Sequence, residues 1–375
     1  MIFLKQELDK LVSLNLYRAL KTITDLKFPY ATINGKKVTI FCSNNYLGLA
    51  DHPKVLESFM KAAHEFGVGS TASRLISGNT TLHEELEDKI AKLKRTDSAL
   101  LFPTGYMANL GAISALVGKD DIVFSDRLNH ASIYDGIKLS GAKLVPYPHK
   151  DMKNLEKLLA KYPDKKKLVV TDSVFSMDGD IAPLPELISL SRKYNAIFMI
   201  DEAHATGVLG DNGSGAVEHF GLKDKPDIIM GTLSKALGVL GGFVAGSKEL
   251  IDYLKNRSRS FIYTTAMPAP LCAAAIESIN ISQQQSELRK KLMSNIAYFK
   301  AGSKLKDGTH IIPIIIGDNK KTLKISQSLF EDGLFVSAIR PPTVPDGTSR
   351  LRITLSSKHS KADIDRLLSS LRGTK

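Results

Sequence analysis

The chain has 375 residues, 24% charged and 43% hydrophobic, with 27 Gly, 15 Pro and 2 Cys, a globular composition of about two domains' length, neither disordered nor collagen-like. Cys42 and Cys272 are too few for a disulfide scaffold, no apolar run is long enough for a transmembrane helix, and Met1–Glu7 lacks the features of a secretory signal, so a cytoplasmic location is expected. The net charge of +12 suits anionic small substrates; nucleic acid is disfavoured because the basic residues are dispersed and not interleaved with aromatics.

Apolar positions at Leu4, Leu8, Leu11, Leu14 and Leu16 recur at helical spacing and predict a helical arm within the first 26 residues. Phe28-Pro29-Tyr30 interrupts it. Asn34-Gly35 then predicts a two-residue hairpin turn between strands at Tyr30–Ile33 and Lys37–Phe41. Strand-length apolar runs follow at Ser98–Phe102, Asp121–Ser125, Lys143–Tyr147, Leu168–Thr171, Ile197–Ile200, Ile228–Gly231 and Gly242–Ala245. Helical segments such as Leu82–Leu93, Asn154–Tyr162 and Leu184–Tyr194 separate most of them, which predicts a mostly parallel sheet covered on both faces. Gly242–Ala245 follows its predecessor too closely for a helical crossover and is expected to run antiparallel. Beyond Pro268 and Pro270 a long helix, Ala269–Leu305, leads into Ile311–Ile316, Lys321–Asp332, Phe335–Ile339, Arg350–Leu355 and a terminal helix from Ser360. These form a smaller α+β domain.

Ligands of open α/β sheets collect outside the carboxyl ends of the strands. There the chain carries Thr171 to Asp180, then Asp201-Glu202-Ala203-His204, then Thr232-Leu233-Ser234-Lys235. Hydroxyls, a carboxylate with a histidine, and a lysine thus reach one sheet edge. An earlier strand–helix junction, Thr104-Gly105-Tyr106-Met107-Ala108-Asn109, offers exposed N–H groups and a positive dipole end to a phosphate. A desolvated lysine can form a Schiff base with an aldehyde, and a buried carboxylate can keep a pyridinium nitrogen protonated. This is equipment for pyridoxal phosphate. The glycine-rich segments at Gly207–Gly215 and Gly238–Gly242 carry no dinucleotide or phosphate-loop fingerprint. Histidine and cysteine show no metal-ligand spacing, and no serine-hydrolase elbow is present.

These segments, with Ser43-Asn44-Asn45-Tyr46-Leu47-Gly48-Leu49, Asp126-Arg127-Leu128-Asn129-His130-Ala131-Ser132 and Phe175-Ser176-Met177-Asp178-Gly179-Asp180, resemble the α-oxoamine synthases. Those belong to the aspartate-aminotransferase-like, fold-type-I class of pyridoxal-phosphate enzymes. The resemblance runs nearly end to end. It implies an α/β fold: an arm and hairpin over 1–41, a large cofactor domain with a mostly parallel sheet over 42–268, and a C-terminal α+β domain over 269–375. It also implies pyridoxal 5'-phosphate as cofactor, Lys235 as the Schiff-base lysine, Asp201 as the pyridinium partner and His130 stacked on the ring. His204 and Ser176 match positions near the phenolic oxygen and reacting centre, and Gly105, Tyr106 and Thr232 match the phosphate side. Thr264 matches a phosphate ligand supplied by the neighbouring subunit, which implies a homodimer.

The run Arg340-Pro341-Pro342-Thr343-Val344-Pro345 resembles the branch of this family that condenses L-alanine with a pimeloyl thioester in biotin biosynthesis. The expected acyl donor is pimeloyl-CoA or a pimeloyl-acyl carrier protein. By the same resemblance Arg352 is the expected clamp for the amino-acid carboxylate, Arg340 a second candidate for an anionic substrate group, and Arg18 and Asn44 further substrate contacts. Arg350 and Arg352 are expected to point to opposite faces of their strand, so that only one lines the site. The rival activities are condensation of glycine with acetyl-CoA, and a lyase or aminotransferase that forms no carbon–carbon bond.

Overall fold

The computed structural model describes residues 2–373 and divides into two compact units with separate cores. Leu49–Ser176 and Ile181–Arg289 form one unit, built on a seven-stranded sheet. In spatial order the strands are Ser98–Phe102, Gly242–Gly246, Ile228–Thr232, Ile197–Asp201, Lys167–Asp172, Ile122–Asp126 and Lys143–Tyr147. Gly242–Gly246 runs antiparallel to both neighbours, and the other pairings are parallel. Phe124, Val169, Val170, Phe198, Ile200 and Val244 are all fully buried, because helices cover both faces and leave no solvent side on which a polar residue could alternate.

The helices begin where the sequence can satisfy their first N–H groups. Thr104 caps Gly105–Leu116 by accepting the Met107 N–H at 3.2 Å, and Asp151 caps Met152–Leu159 in the same way. A Cβ on Gly242 would lie 2.5 Å from the Gly105 nitrogen. The antiparallel strand can therefore reach the start of helix Gly105–Leu116 only with glycine at that point.

Met1–Gly48, Met177–Asp180 and Lys290–Lys375 form the other unit. Its hairpin pairs Tyr30–Ile33 with Lys36–Ile40 through Asn34 (φ 49°) and Gly35 (φ 78°), the left-handed pair that matches strand twist. The arm helix is shorter than its leucine spacing predicts: it spans Ile2–Ser13, and Asn15 at φ 56° turns the chain out of it. A strand at Ile23–Lys27, absent from the sequence reading, joins the hairpin. The expected strand Phe335–Ile339 is two pieces: Leu334–Phe335 pairs with Thr39 and Ile40, and Ser337–Ile339 pairs with Ser349–Thr354 in a separate three-stranded sheet. The expected helix Ala269–Leu305 is likewise two, Ala269–Gln284 and Ser286–Ser303, with Gln285 out of helical geometry between them. Among the described residues, no helix is long and apolar enough to cross a membrane.

One buried ion pair ties the loop after Ile197–Asp201 to its surroundings. Lys94 Nζ lies 2.5 Å from Glu202 Oε2, with both side chains 1% exposed. The ammonium also donates to Thr206 Oγ1 and the Ser214 carbonyl, while Glu202 Oε1 accepts the Ala216 N–H at 2.7 Å. Desolvating two charges is costly, and full hydrogen bonding offsets it here. Replacing Lys94 with Met strands the carboxylate, so urea or thermal unfolding of Lys94→Met should report a loss of about 3–5 kcal/mol. Adding Glu202→Gln should recover part of that loss, since the amide oxygen can still accept the Ala216 N–H.

Candidate active site

The carboxyl ends of the central strands open into a cavity of ≈ 190 Å³ within the sheet-based unit. It gathers eight of the residues singled out in the sequence: Gly105, Tyr106, His130, Ser176, Asp201, His204, Thr232 and Lys235. They come from separate strand ends and helix starts, and the parallel sheet makes them neighbours.

Asp201 closes strand Ile197–Asp201 and is buried. Its Oδ2 accepts Asn109 Nδ2–H and its Oδ1 accepts the Ala203 N–H, both at 2.8 Å. Asn109 Nδ2 also lies 2.8 Å from Ser132 Oγ, and Ser132 Oγ lies 2.8 Å from His130 Nδ1. The carboxylate and the imidazole therefore belong to one hydrogen-bonded set. His130 caps helix Ala131–Ser140, and the Tyr106 ring meets it edge-on at 6.4 Å. Burial lowers the His130 pKa below its ordinary value, against the opposing pull of the Asp201 charge, and keeps the imidazole neutral near pH 7.

The opposite end of the cavity is rich in donors. Gly105 opens helix Gly105–Leu116 there, beside the hydroxyls of Thr232 and Ser234, which lie 2.7 Å apart. A Cβ at Gly105 would meet Met230 Cε at 3.2 Å and Thr232 Cβ at 3.4 Å, so the helix start packs closely on this strand. Tyr106 is hydrogen-bonded to Asp135. Thr264 does not line the cavity; it follows the exposed Tyr263.

Sequence reasoning missed Asn109, Ser132, Ser234 and Asp172 as lining residues. Asn109 and Ser132 stand one helical turn or less beyond their helix starts, where a polar residue in an apolar stretch was the available signal. Asp172 was visible as a carboxylate closing an apolar run, as Asp201 was, but without a histidine beside it.

Asn44, Arg18, Arg340 and Arg352 belong to the other unit. Arg352 Nη2 donates to Asn44 Oδ1 at 3.2 Å, and the Tyr46 hydroxyl donates to the same oxygen at 2.9 Å. Burial pushes the Tyr46 phenol up to about 12, so it stays a neutral donor. Arg350 forms an ion pair with Asp178 at 2.6 Å. The expectation that these arginines oppose one another is corrected: side chains alternate with period two, so positions 350 and 352 share a face. What separates them is their partners. Arg340 donates to the carbonyls of Asn15 and Tyr17, and Arg18 to the Pro341 carbonyl, so this pair ties the arm to the Pro341 segment.

The donor set fits pyridoxal phosphate: a buried carboxylate for a ring nitrogen, an imidazole beside it, a lysine, and helix-start N–H groups with hydroxyls at the far end. The buried Asn109 Oδ1, without a partner, lies in the wall of this same cavity.

The profile of the aminotransferase class I and II family matches residues 36–371. The 8-amino-7-oxononanoate synthase of Geotalea daltonii is 47% identical over 98% of this chain and 96% of its own length. The 8-amino-7-oxononanoate synthase 2 of Bacillus subtilis is 47% identical over 98% and 95%. Among solved structures, a serine palmitoyltransferase from S. paucimobilis with a bound PLP–myriocin aldimine superposes with a TM-score of 0.94 at 33% identity, covering 99% of this chain and 96% of that one. The 8-amino-7-oxononanoate synthase of Francisella tularensis gives a TM-score of 0.77 at 30% identity over 90% and 96%. The fold is therefore the fold-type-I, aspartate-aminotransferase-like one, and the chain belongs to the aminotransferase class I and II family and, within it, to the α-oxoamine synthases.

Proposed function

We propose that this protein is a cytoplasmic, homodimeric, pyridoxal-phosphate-dependent acyltransferase. It joins L-alanine to a pimeloyl thioester and releases 8-amino-7-oxononanoate, CO₂ and free thiol. The observation that carries this reading is the single cavity holding Lys235, Asp201 and His130, in a chain 47% identical over nearly its whole length to 8-amino-7-oxononanoate synthases.

When bound, pyridoxal phosphate supplies an electron sink for the pair released at the amino acid's α-carbon. The protein's residues do the rest. Asp201, fixed by Asn109 and the Ala203 N–H, would hold the proton on the ring nitrogen. His130 would stack on the ring, and Ser176 and His204 would serve the side of the phenolic oxygen and the reacting centre. Gly105, Tyr106 and Thr232 would hold the phosphate, joined by Thr264 from a second subunit. Arg352 takes the alanine carboxylate bidentately, and Arg18, Asn44 and Arg340 contact the substrates. Lys235 Nζ accepts the α-proton as general base and later returns a proton. The α-carbon bonds to the thioester carbonyl, the C–S bond breaks with departure of the thiol, and the carboxylate then leaves as CO₂.

The dimer reading has its own support. Val68, Ile76 and Tyr263 are 85%, 81% and 72% exposed, and hydrogen bonds from Ser70 to Met267 and from Ala266 to Ala72 bring their segments together beside Thr264. Such an apolar surface suits a second copy of the chain.

Cofactor-loaded protein, given L-alanine or glycine with pimeloyl-CoA or acetyl-CoA, should release thiol only with alanine and pimeloyl-CoA. Release with glycine and acetyl-CoA would move the enzyme to the rival condensation. Lys235→Ala should lose the covalent cofactor adduct seen by mass after borohydride reduction, and turnover should fall by about 10²–10⁴-fold or more. Analytical ultracentrifugation should give twice the chain mass, and Thr264→Ala should weaken cofactor retention on dilution. A monomer that keeps its cofactor would overturn the shared-site assignment.

A further inference from the structure

Three neighbouring strands of the central sheet end in aspartate: Ile122–Asp126, Lys167–Asp172 and Ile197–Asp201. Asp172 lies in register with Asp201 on one side, and its strand pairs with the strand ending in Asp126 on the other. Adjacent strands are about 4.8 Å apart, so ionised Asp172 and Asp201 would stand side by side in a buried setting, with Asp126 at the end of the next strand. The flanking two are equipped for charge. Asp126 receives His149 Nδ1 at 3.1 Å and the N–H groups of Leu128 and Lys150 at 2.9 Å. Asp201 receives Asn109 and the Ala203 N–H. Asp172, 4% exposed, lines the cavity, and its Oδ2 accepts the backbone N–H of His130 at 2.9 Å.

We propose that Asp172 is a positioning residue that works as the neutral carboxylic acid: it anchors the His130 backbone, and so the imidazole, while leaving Asp201 as the anion for the ring nitrogen. Like charges in a shared low-dielectric site cannot all ionise, so the middle member keeps its proton. Burial raises the Asp172 pKa well above the ordinary carboxylate range, and the Asp201 charge raises it further, with Asp126 adding to it. Lys235 and the His130 N–H oppose that rise. The phenols of Tyr134 and Tyr147, raised chiefly by burial, also lie within electrostatic reach of Asp172.

The inference rests on the cofactor reading above, and Asp172→Asn separates the two, because the amide imitates the neutral acid. In the loaded enzyme, Asp172→Asn should keep kcat within about 3-fold of wild type, whereas Asp172→Ala should lose up to about 10²-fold through misplacement, with KM for alanine little changed. The second readout needs no cofactor. A folded pKa raised above the unfolded value gives stability that is complete below pH ~4 and is lost as pH rises through the folded pKa. The full-length cofactor-free wild type should therefore lose melting temperature relative to Asp172→Asn as pH increases from 4 to 8. The opposite trend, or an Asp172→Asn enzyme as impaired as Asp172→Ala, would show that Asp172 acts as an anion and would overturn the proposal. Wild-type protein that takes up no pyridoxal phosphate would sink the cofactor reading instead, and the pH trend would still decide whether Asp172 holds its proton.

Discussion

Placing a carboxylate at the end of a strand buried on both faces is the constraint on which the rest of this site depends. Asp201 has almost no access to water, so the protein itself must bring hydrogen-bond donors to the carboxyl group. Those donors come from two different elements: Asn109 from the helix after strand Ser98–Phe102, and the Ala203 N–H from the loop that follows Asp201 itself. The loop's shape is held in turn by Glu202. Its side chain turns away from the cavity into the pair with Lys94, and its carbonyl accepts the Ala205 and Thr206 N–H groups. One residue addresses the ligand cavity and the next secures the turn that aims it.

The same logic explains why the helix start at Thr104–Gly105 stands where it does. A phosphate needs several N–H donors converging on one point, which a capped helix terminus provides only if the neighbouring backbone leaves room. Gly242 supplies that room, because a Cβ there would collide with the Gly105 backbone at the helix start. The antiparallel strand Gly242–Gly246 is therefore more than an irregularity in a parallel sheet. It packs a glycine against the start of helix Gly105–Leu116, while its neighbour Ile228–Thr232 carries Thr232, and Lys235 follows three residues later.

Much of this was legible in the sequence because buried parallel strands and capped helices leave strong local signals. The seven apolar runs became the seven strands with ends shifted by no more than a residue, since nothing but sheet burial explains such runs between helical segments. Asn34-Gly35 formed its hairpin because few other residue pairs accept two successive left-handed conformations. Where structure depends on which partner a segment meets, the signal failed. Ile23–Lys27 is exposed at all five positions and carries no alternation to read; only pairing with Tyr30–Ile33 makes it a strand. Leu334–Phe335 and Ser337–Ile339 look continuous, yet their partners lie in different sheets, and the break follows from those partners. Asn109 became a site residue only when the sheet brought Asp201 beside its helix.

Arg350 and Arg352 show the same limit at the level of charge. Two arginines on one strand face are identical to any pattern-based reading, and only their neighbours distinguish them. Arg350 finds the Asp178 carboxylate, an ion pair that neutralises it and binds the Met177–Asp180 segment to strand Ser349–Thr354. Arg352 instead meets the amide oxygen of Asn44, which the neutral Tyr46 phenol also shares. A guanidinium presents five N–H groups in a rigid planar fork, so one amide oxygen can orient it through a single edge. The Asn44 oxygen thus orients one edge of Arg352, while the Asp178 carboxylate ties Arg350 to the Met177–Asp180 segment.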